Sequence, residues 1–116
     1  MRFITAIFPI FLTSAAAYDY GSCVCNSLTP GTPWKYDWEL TKYTCSHNFQ
    51  GYANYDSGSG KCVPIRYALD SDQFQKDCLQ AGTVDGYFRY KDDDTVDTSV
   101  KLFVHYASAT CDELHW

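Results

Sequence analysis

Six cysteines in a chain of 116 residues constrain the fold more than any other feature: Cys23, Cys25, Cys45, Cys62, Cys78 and Cys111. An even number in so short a chain reads as a disulfide framework if the chain is exported, and as metal ligands or reactive thiols if it stays in a reducing compartment. The N-terminus decides between the two. Met1-Arg2 is a positive start, Phe3 to Leu12 is an apolar run interrupted by Thr5 and Pro9, and Thr13 to Ala17 is small, with Ala15 and Ala17 at the spacing of a cleavage site. That order is a secretory leader. Ten helical residues at ~1.5 Å each cover only about half of a ~30 Å hydrocarbon core, so the run is too short to span a membrane. The sequence therefore predicts a leader over residues 1–17, one domain over residues 18–116, and six oxidised cysteines in an extracellular protein.

Six cysteines allow fifteen pairings. Cys23 and Cys25 share one strand face and cannot bridge each other, which leaves twelve. The pairing taken forward joins Cys45 to Cys78 between helices, with Cys23 and Cys25 taking Cys62 and Cys111 in either order. A metal site is not expected: there is no C-x₂-C or H-x₃₋₅-H spacing, and His47, His105 and His115 are scattered. No other cofactor is indicated. The bridges are needed energetically, because a domain of this size leaves about a third of its unfolded-chain surface exposed and its core alone is marginal.

The composition, 46% hydrophobic and 17% aromatic, has too much apolar surface for a disordered chain. No second long apolar run follows the leader. The clearest element is a helix over Ser71–Ala81. Asp70 caps it with Gln73 three residues on, Leu69 and Phe74 form a hydrophobic staple, and Phe74, Cys78 and Ala81 make one apolar face, with Gly82 ending it. Trp34 to His47 is ambiguous. Trp34, Tyr36, Trp38 and Leu40 alternate like a strand, while Trp34, Trp38, Thr41 and Cys45 fall at helical spacing behind Thr32-Pro33. A helix over Asp37–His47 is the preferred reading. Asn48 to Tyr67 reads as a hairpin around Ser57-Gly58-Ser59-Gly60, its second arm an edge because Pro64 cannot donate to a ladder. Asp85–Tyr90 and part of Thr95–Tyr106 read as strands, and the tail carries Cys111 back to the body. The fold class is α+β: one or two helices packed on a small antiparallel sheet.

The cysteine layout resembles that of the small secreted cysteine-rich proteins of filamentous fungi, of the effector and elicitor type. The matching pieces are Cys23-Val24-Cys25, the Thr41 to Cys45 segment, a Tyr/Gly-rich loop ending in Cys62, and the Leu69 to Gly82 helix. Such proteins often carry a cysteine soon after that helix; Tyr87-Phe88-Arg89 has none, and Cys111 would replace it. The resemblance implies a virulence-type function at a host or competitor surface, by binding a protein or glycan rather than by turnover.

The enzyme alternative is a divergent guanyl-specific ribonuclease. It resembles this chain in size, acidity and the order of Arg89 and His105. Lys61 and Cys62 stand where its general base belongs, and the upstream Tyr-x-His pair is missing, so no complete acid–base set remains. His105 reads more simply as a strand histidine on a polar face. A killer-type or antimicrobial toxin is a third reading, opposed by the net charge of −5, which disfavours anionic membranes and nucleic acid alike. Asp92-Asp93-Asp94 with Asp97 lacks the order of a calcium loop and reads as a solvated turn. Candidate binding residues are the aromatics Trp34, Tyr36, Trp38, Tyr52 and Tyr55, since tyrosine and tryptophan offer rigid amphipathic contact area. The expected state is a monomer.

Overall fold

A computed structural model describes residues 19–65 and 68–113. The expected leader, residues 1–17, and the end of the expected second hairpin arm, residues 66–67, lie outside the described residues. Strand β1 (Asp19–Leu28) is the axis of the fold. Along one side it meets, in turn, β5 (Leu69–Asp70), β4 (Lys61–Pro64) and β2 (Lys35–Tyr36), with β3 (Ala53–Asp56) outside β4. Along its other side runs β8 (Tyr106–Glu113), paired from Cys23↔Cys111 to Leu28↔Tyr106. Every pairing is antiparallel. Two helices, α1 (Trp38–Asn48) and α2 (Ser71–Gln80), complete an α+β domain with a separate ribbon of β6 (Tyr87–Tyr90) and β7 (Val96–Leu102).

Alternation on β1 sets the core. Cys23, Cys25 and Ser27 point the same way and are fully buried. Twelve apolar residues form the buried cluster, and five of them are cysteines; Phe74 and Leu40 are the largest fully buried side chains. A core this poor in large hydrocarbon groups needs cross-links. The bridges are Cys23–Cys111, Cys25–Cys78 and Cys45–Cys62. The expected Cys45–Cys78 bridge does not form: α2 turns Cys78 toward β1, and α1 turns Cys45 toward β4. Cys23 takes Cys111, one of the two partners allowed for it, because those residues lie opposite each other in the β1–β8 register.

The hairpin is present, its turn held by Asp56, which accepts from the backbone of Ser59 (3.1 Å) and from the Ser59 hydroxyl (2.7 Å). Its second arm is not an edge. β4 lies between β3 and β1, and β1 meets it only at Cys62, so Pro64 sits past that contact and no bond to β1 is forfeited. Helix α1 starts at Trp38 behind an Asp37 cap rather than behind Thr32-Pro33. Leu40, Thr41, Thr44 and Cys45 face the core, while Trp34 and Trp38, expected on the same stripe, face out.

Helix α2 has the expected cap: Asp70 accepts from the backbone of Asp72 (3.0 Å) and Gln73 (3.3 Å). The Gln73 side chain bonds Asp77 instead of reaching back to the cap, so only half of the capping box forms. Gly82 does not end the helix. The chain continues through a π-helical turn, Ala81–Asp85, and Gly86 closes it at φ 79°. Gly82 is glycine for space: a Cβ there would lie 2.9 Å from Val104 and 3.2 Å from Leu40. His105 is not on a strand. β7 ends at Leu102, and His105 sits exposed in the connection to β8, donating its N–H to Leu28 O (3.0 Å).

Candidate functional site

The alternation of Trp34, Tyr36 and Trp38 against Lys35 and Asp37 is inverted relative to a core-facing strand. Here Asp37 turns inward, while Lys35 and the aromatics are exposed. Asp37 Oδ2 accepts from the Ser27 hydroxyl (2.9 Å) and the Tyr87 hydroxyl (2.8 Å), and Oδ1 accepts from the backbone of Leu40 (3.1 Å). Its backbone N–H donates to Cys25 O (3.0 Å), and its carbonyl accepts from Thr41 (3.0 Å). One residue thus pins the start of α1 to β1 and β6. Burial and the neighbouring Asp37 carboxylate push the Tyr87 phenol well above the usual range.

With Asp37 anchored, Tyr36 and Trp38 stand on either side of it, 45% and 43% exposed. They form a ridge between two clefts, and both residues line both. The first cleft, about 340 Å³, is bounded by Lys35, Asp37, Glu39, Arg89 and Phe103. The second, about 500 Å³, runs over Lys42, Tyr55, the Ser57–Gly60 turn and Asp94. Both volumes fall in the range of roughly 300–1,000 Å³ typical of ligand pockets.

The ridge is held in place. The Tyr36 hydroxyl donates to Gly60 O and lies 3.5 Å from the Tyr55 hydroxyl; burial, then the Tyr55 contact, raise its phenol above the usual range. Trp38 packs beside Tyr90 with ring centroids 6.3 Å apart. Lys42 pairs with Asp94 (2.7 Å) and sits over the Tyr90 ring at 4.4 Å and the Tyr55 ring at 5.6 Å. Among the described residues, no hydrogen bond or ion pair engages the side chains of Lys35, Glu39 or Arg89.

The candidate aromatics therefore divide. Tyr36, Trp38 and Tyr55 share one region; Trp34 packs edge-on against Tyr106 at 5.8 Å, and Tyr52 lines a separate hollow with Phe49, Leu69 and Gln73. Arg89 opens into the first cleft, whereas His105 is not among the residues lining it. Asp93, in the connection between β6 and β7, and Asp97, within β7, accept from Thr95 and Ser99 respectively, which lowers both carboxyls below the usual range. No group of three or more His, Cys, Asp or Glu converges among the described residues as a metal site requires. Tyr87 and Tyr90 carry no site signal in the sequence, Lys42 none beyond its charge, and Asp94 reads there only as part of a solvated acidic turn; Asp37 carries a local signal, as an N-cap residue before a helical stretch.

The model of a family of unknown function, DUF5948, matches residues 20–87. The chain belongs to that family. The DUF5948 match runs from β1 to the first residue of β6, so it takes in Asp37, its partners Ser27 and Tyr87, the Tyr36–Trp38 ridge and five of the six cysteines. β7, β8 and Cys111 fall beyond it. No curated protein and no solved structure matches the chain.

Proposed function

We propose that this chain is a secreted, disulfide-stapled binding protein of the fungal effector type, acting on an extracellular target of a host or competitor without turning it over. The observation that carries the reading is the Tyr36–Trp38 ridge. Two large aromatic side chains stand nearly half exposed on a cross-linked frame, which is the preorganisation that binding surfaces favour. Asp37, one of the two carboxylates lining the first cleft, accepts from three donors and serves as a structural pin, unlike a general base that must take a proton from substrate. All six cysteines are bridged, which suits an oxidising compartment, and no helix among the described residues is long and apolar enough to cross a membrane.

Two experiments test the proposal. The full chain expressed in a secreting host should be recovered from the medium with Tyr18 at its N-terminus; retention of the intact chain inside the cell contradicts export. The oxidised protein, incubated with RNA, polysaccharide and peptide substrates, should release no product above the blank. Hydrolysis of RNA abolished by Arg89→Ala or His105→Ala would overturn the proposal in favour of the ribonuclease alternative.

A further inference from the structure

We infer that the ridge binds an uncharged oligosaccharide of equatorially linked pyranoses, stacked on Tyr36 and Trp38 with its hydroxyls reaching into the two clefts. The inference rests on the binding reading above and adds the ligand class. A pyranose ring offers a flat C–H face and a rim of hydroxyls, each able to donate and accept. Its site must therefore set an exposed aromatic face beside side chains of both kinds. The first cleft does so: Trp38 and Tyr36 border it, Lys35 and Arg89 supply donors, and Glu39 supplies an acceptor. None of those three polar side chains is engaged by another described residue.

Charge narrows the class further. The molecule as a whole carries −5. The clefts do not share that excess: Lys35 and Arg89 balance Asp37 and Glu39 in the first, and Lys42 balances Asp94 in the second. With the charges of both clefts balanced, neither a polyanion nor a polycation gains a local field, and a polyanion meets the overall negative charge besides. Nucleobases also stack on Tyr and Trp, but their phosphates would meet that same overall charge. Two clefts joined across one shared ridge suit an extended chain of several rings. Because the Tyr36 hydroxyl is tied to Gly60 and Trp38 rests beside Tyr90, little side-chain freedom remains to be lost on binding.

The test titrates the oxidised protein with cellohexaose, laminarihexaose and the hexamer of N-acetylglucosamine, using the β-1,4-linked hexamer of glucuronic acid, which keeps the equatorial linkage, as the charged counterpart. Tryptophan fluorescence and calorimetry read binding, and chromatography of the same mixtures reads turnover. At least one uncharged hexamer should bind with a Kd between about 10 µM and 1 mM, and the glucuronate hexamer at least about tenfold more weakly. Trp38→Ala should weaken binding by about tenfold or more, Trp38→Phe should restore most of it, and Trp34→Ala should leave it unchanged. Near-UV circular dichroism establishes that each variant is folded. Equal or tighter binding of the glucuronate hexamer, binding untouched by Trp38→Ala, or no uncharged hexamer binding below about 1 mM overturns the ligand class. The parent reading falls separately, if the hexamers are shortened during the titration.

Discussion

Replacing Asp37 with alanine removes three hydrogen-bond acceptances at once, and two of the orphaned donors belong to residues buried at the edge of the first cleft. Ser27 is fully buried and Tyr87 is 4% exposed, and the cleft they line lets water compensate in part, so each hydroxyl loses its acceptor at a cost of about 1–2 kcal/mol. Loss of the N-cap on α1 adds about 1 kcal/mol. The expected total for Asp37→Ala is about 3–5 kcal/mol, a large share of the ~5–15 kcal/mol that stabilises a domain. Asp37→Asn separates the contributions. Asparagine caps about as well as aspartate, and its carbonyl still accepts while the two hydroxyls can rotate to accept from its amide, so about 1 kcal/mol should be lost. At ~4–8 °C per kcal/mol for a domain of this size, Asp37→Ala should lower Tm by about 12–40 °C and Asp37→Asn by less than ~10 °C. The assay is thermal and urea unfolding of the oxidised proteins followed by near-UV circular dichroism. An Asp37→Ala variant within about 1 kcal/mol of the parent, or an asparagine variant as damaged as the alanine one, would refute the claim that this carboxylate is the pin of the site.

Two other perturbations follow from the same structure. The Cys25–Cys78 loop spans 53 residues, of which the Cys45–Cys62 bridge already closes 17; the remaining effective loop of about 36 residues makes Cys25→Ala/Cys78→Ala cost about 3–4 kcal/mol, readable as a lower urea midpoint with unchanged disulfide content elsewhere. A loss under about 1 kcal/mol would mean that this bridge adds little constraint. The phenols of Tyr87, Tyr36 and Tyr90 are raised, chiefly by burial, so folding favours their protonated forms. That contribution is complete below the unfolded value of about 10 and is lost as pH rises beyond it. Urea midpoints should stay level from neutral pH to about pH 9 and fall above about pH 10, with some tyrosines ionising late at 295 nm; simultaneous ionisation of the whole tyrosine set near 10 would contradict it.

Local chemistry was legible in the sequence where a few adjacent residues decide the outcome. The Asp70 cap fixed the start of α2, and the Ser-Gly repeat fixed the hairpin turn. Long-range pairing was not legible. The tail from Ala107 gave no signal that it would be the main partner of β1, because Ala-Ser-Ala-Thr carries little strand character until Cys111 is locked opposite Cys23. Pairing of the other cysteines depends on how α1 and α2 lie over β1 and β4, which no spacing encodes. In the segment from Trp34, two periodicities coincide, and the structure uses both: extended through Asp37, helical from Trp38. Gly82 read as a helix end by residue type, but its reason is the close approach of Leu40 and Val104. At the site, the aromatics were visible as a residue class, yet only the fold gathers Tyr36, Trp38 and Tyr55 and sends Trp34 and Tyr52 elsewhere.

Sulfur, more than hydrocarbon, holds this small core together in one arrangement. Peptide mapping of the folded protein under non-reducing conditions should yield three linked fragments, joining Cys23 to Cys111, Cys25 to Cys78 and Cys45 to Cys62, with no alkylatable thiol before unfolding. A Cys45–Cys78 fragment, or free thiols in a protein that still gives a native near-UV spectrum, would contradict it.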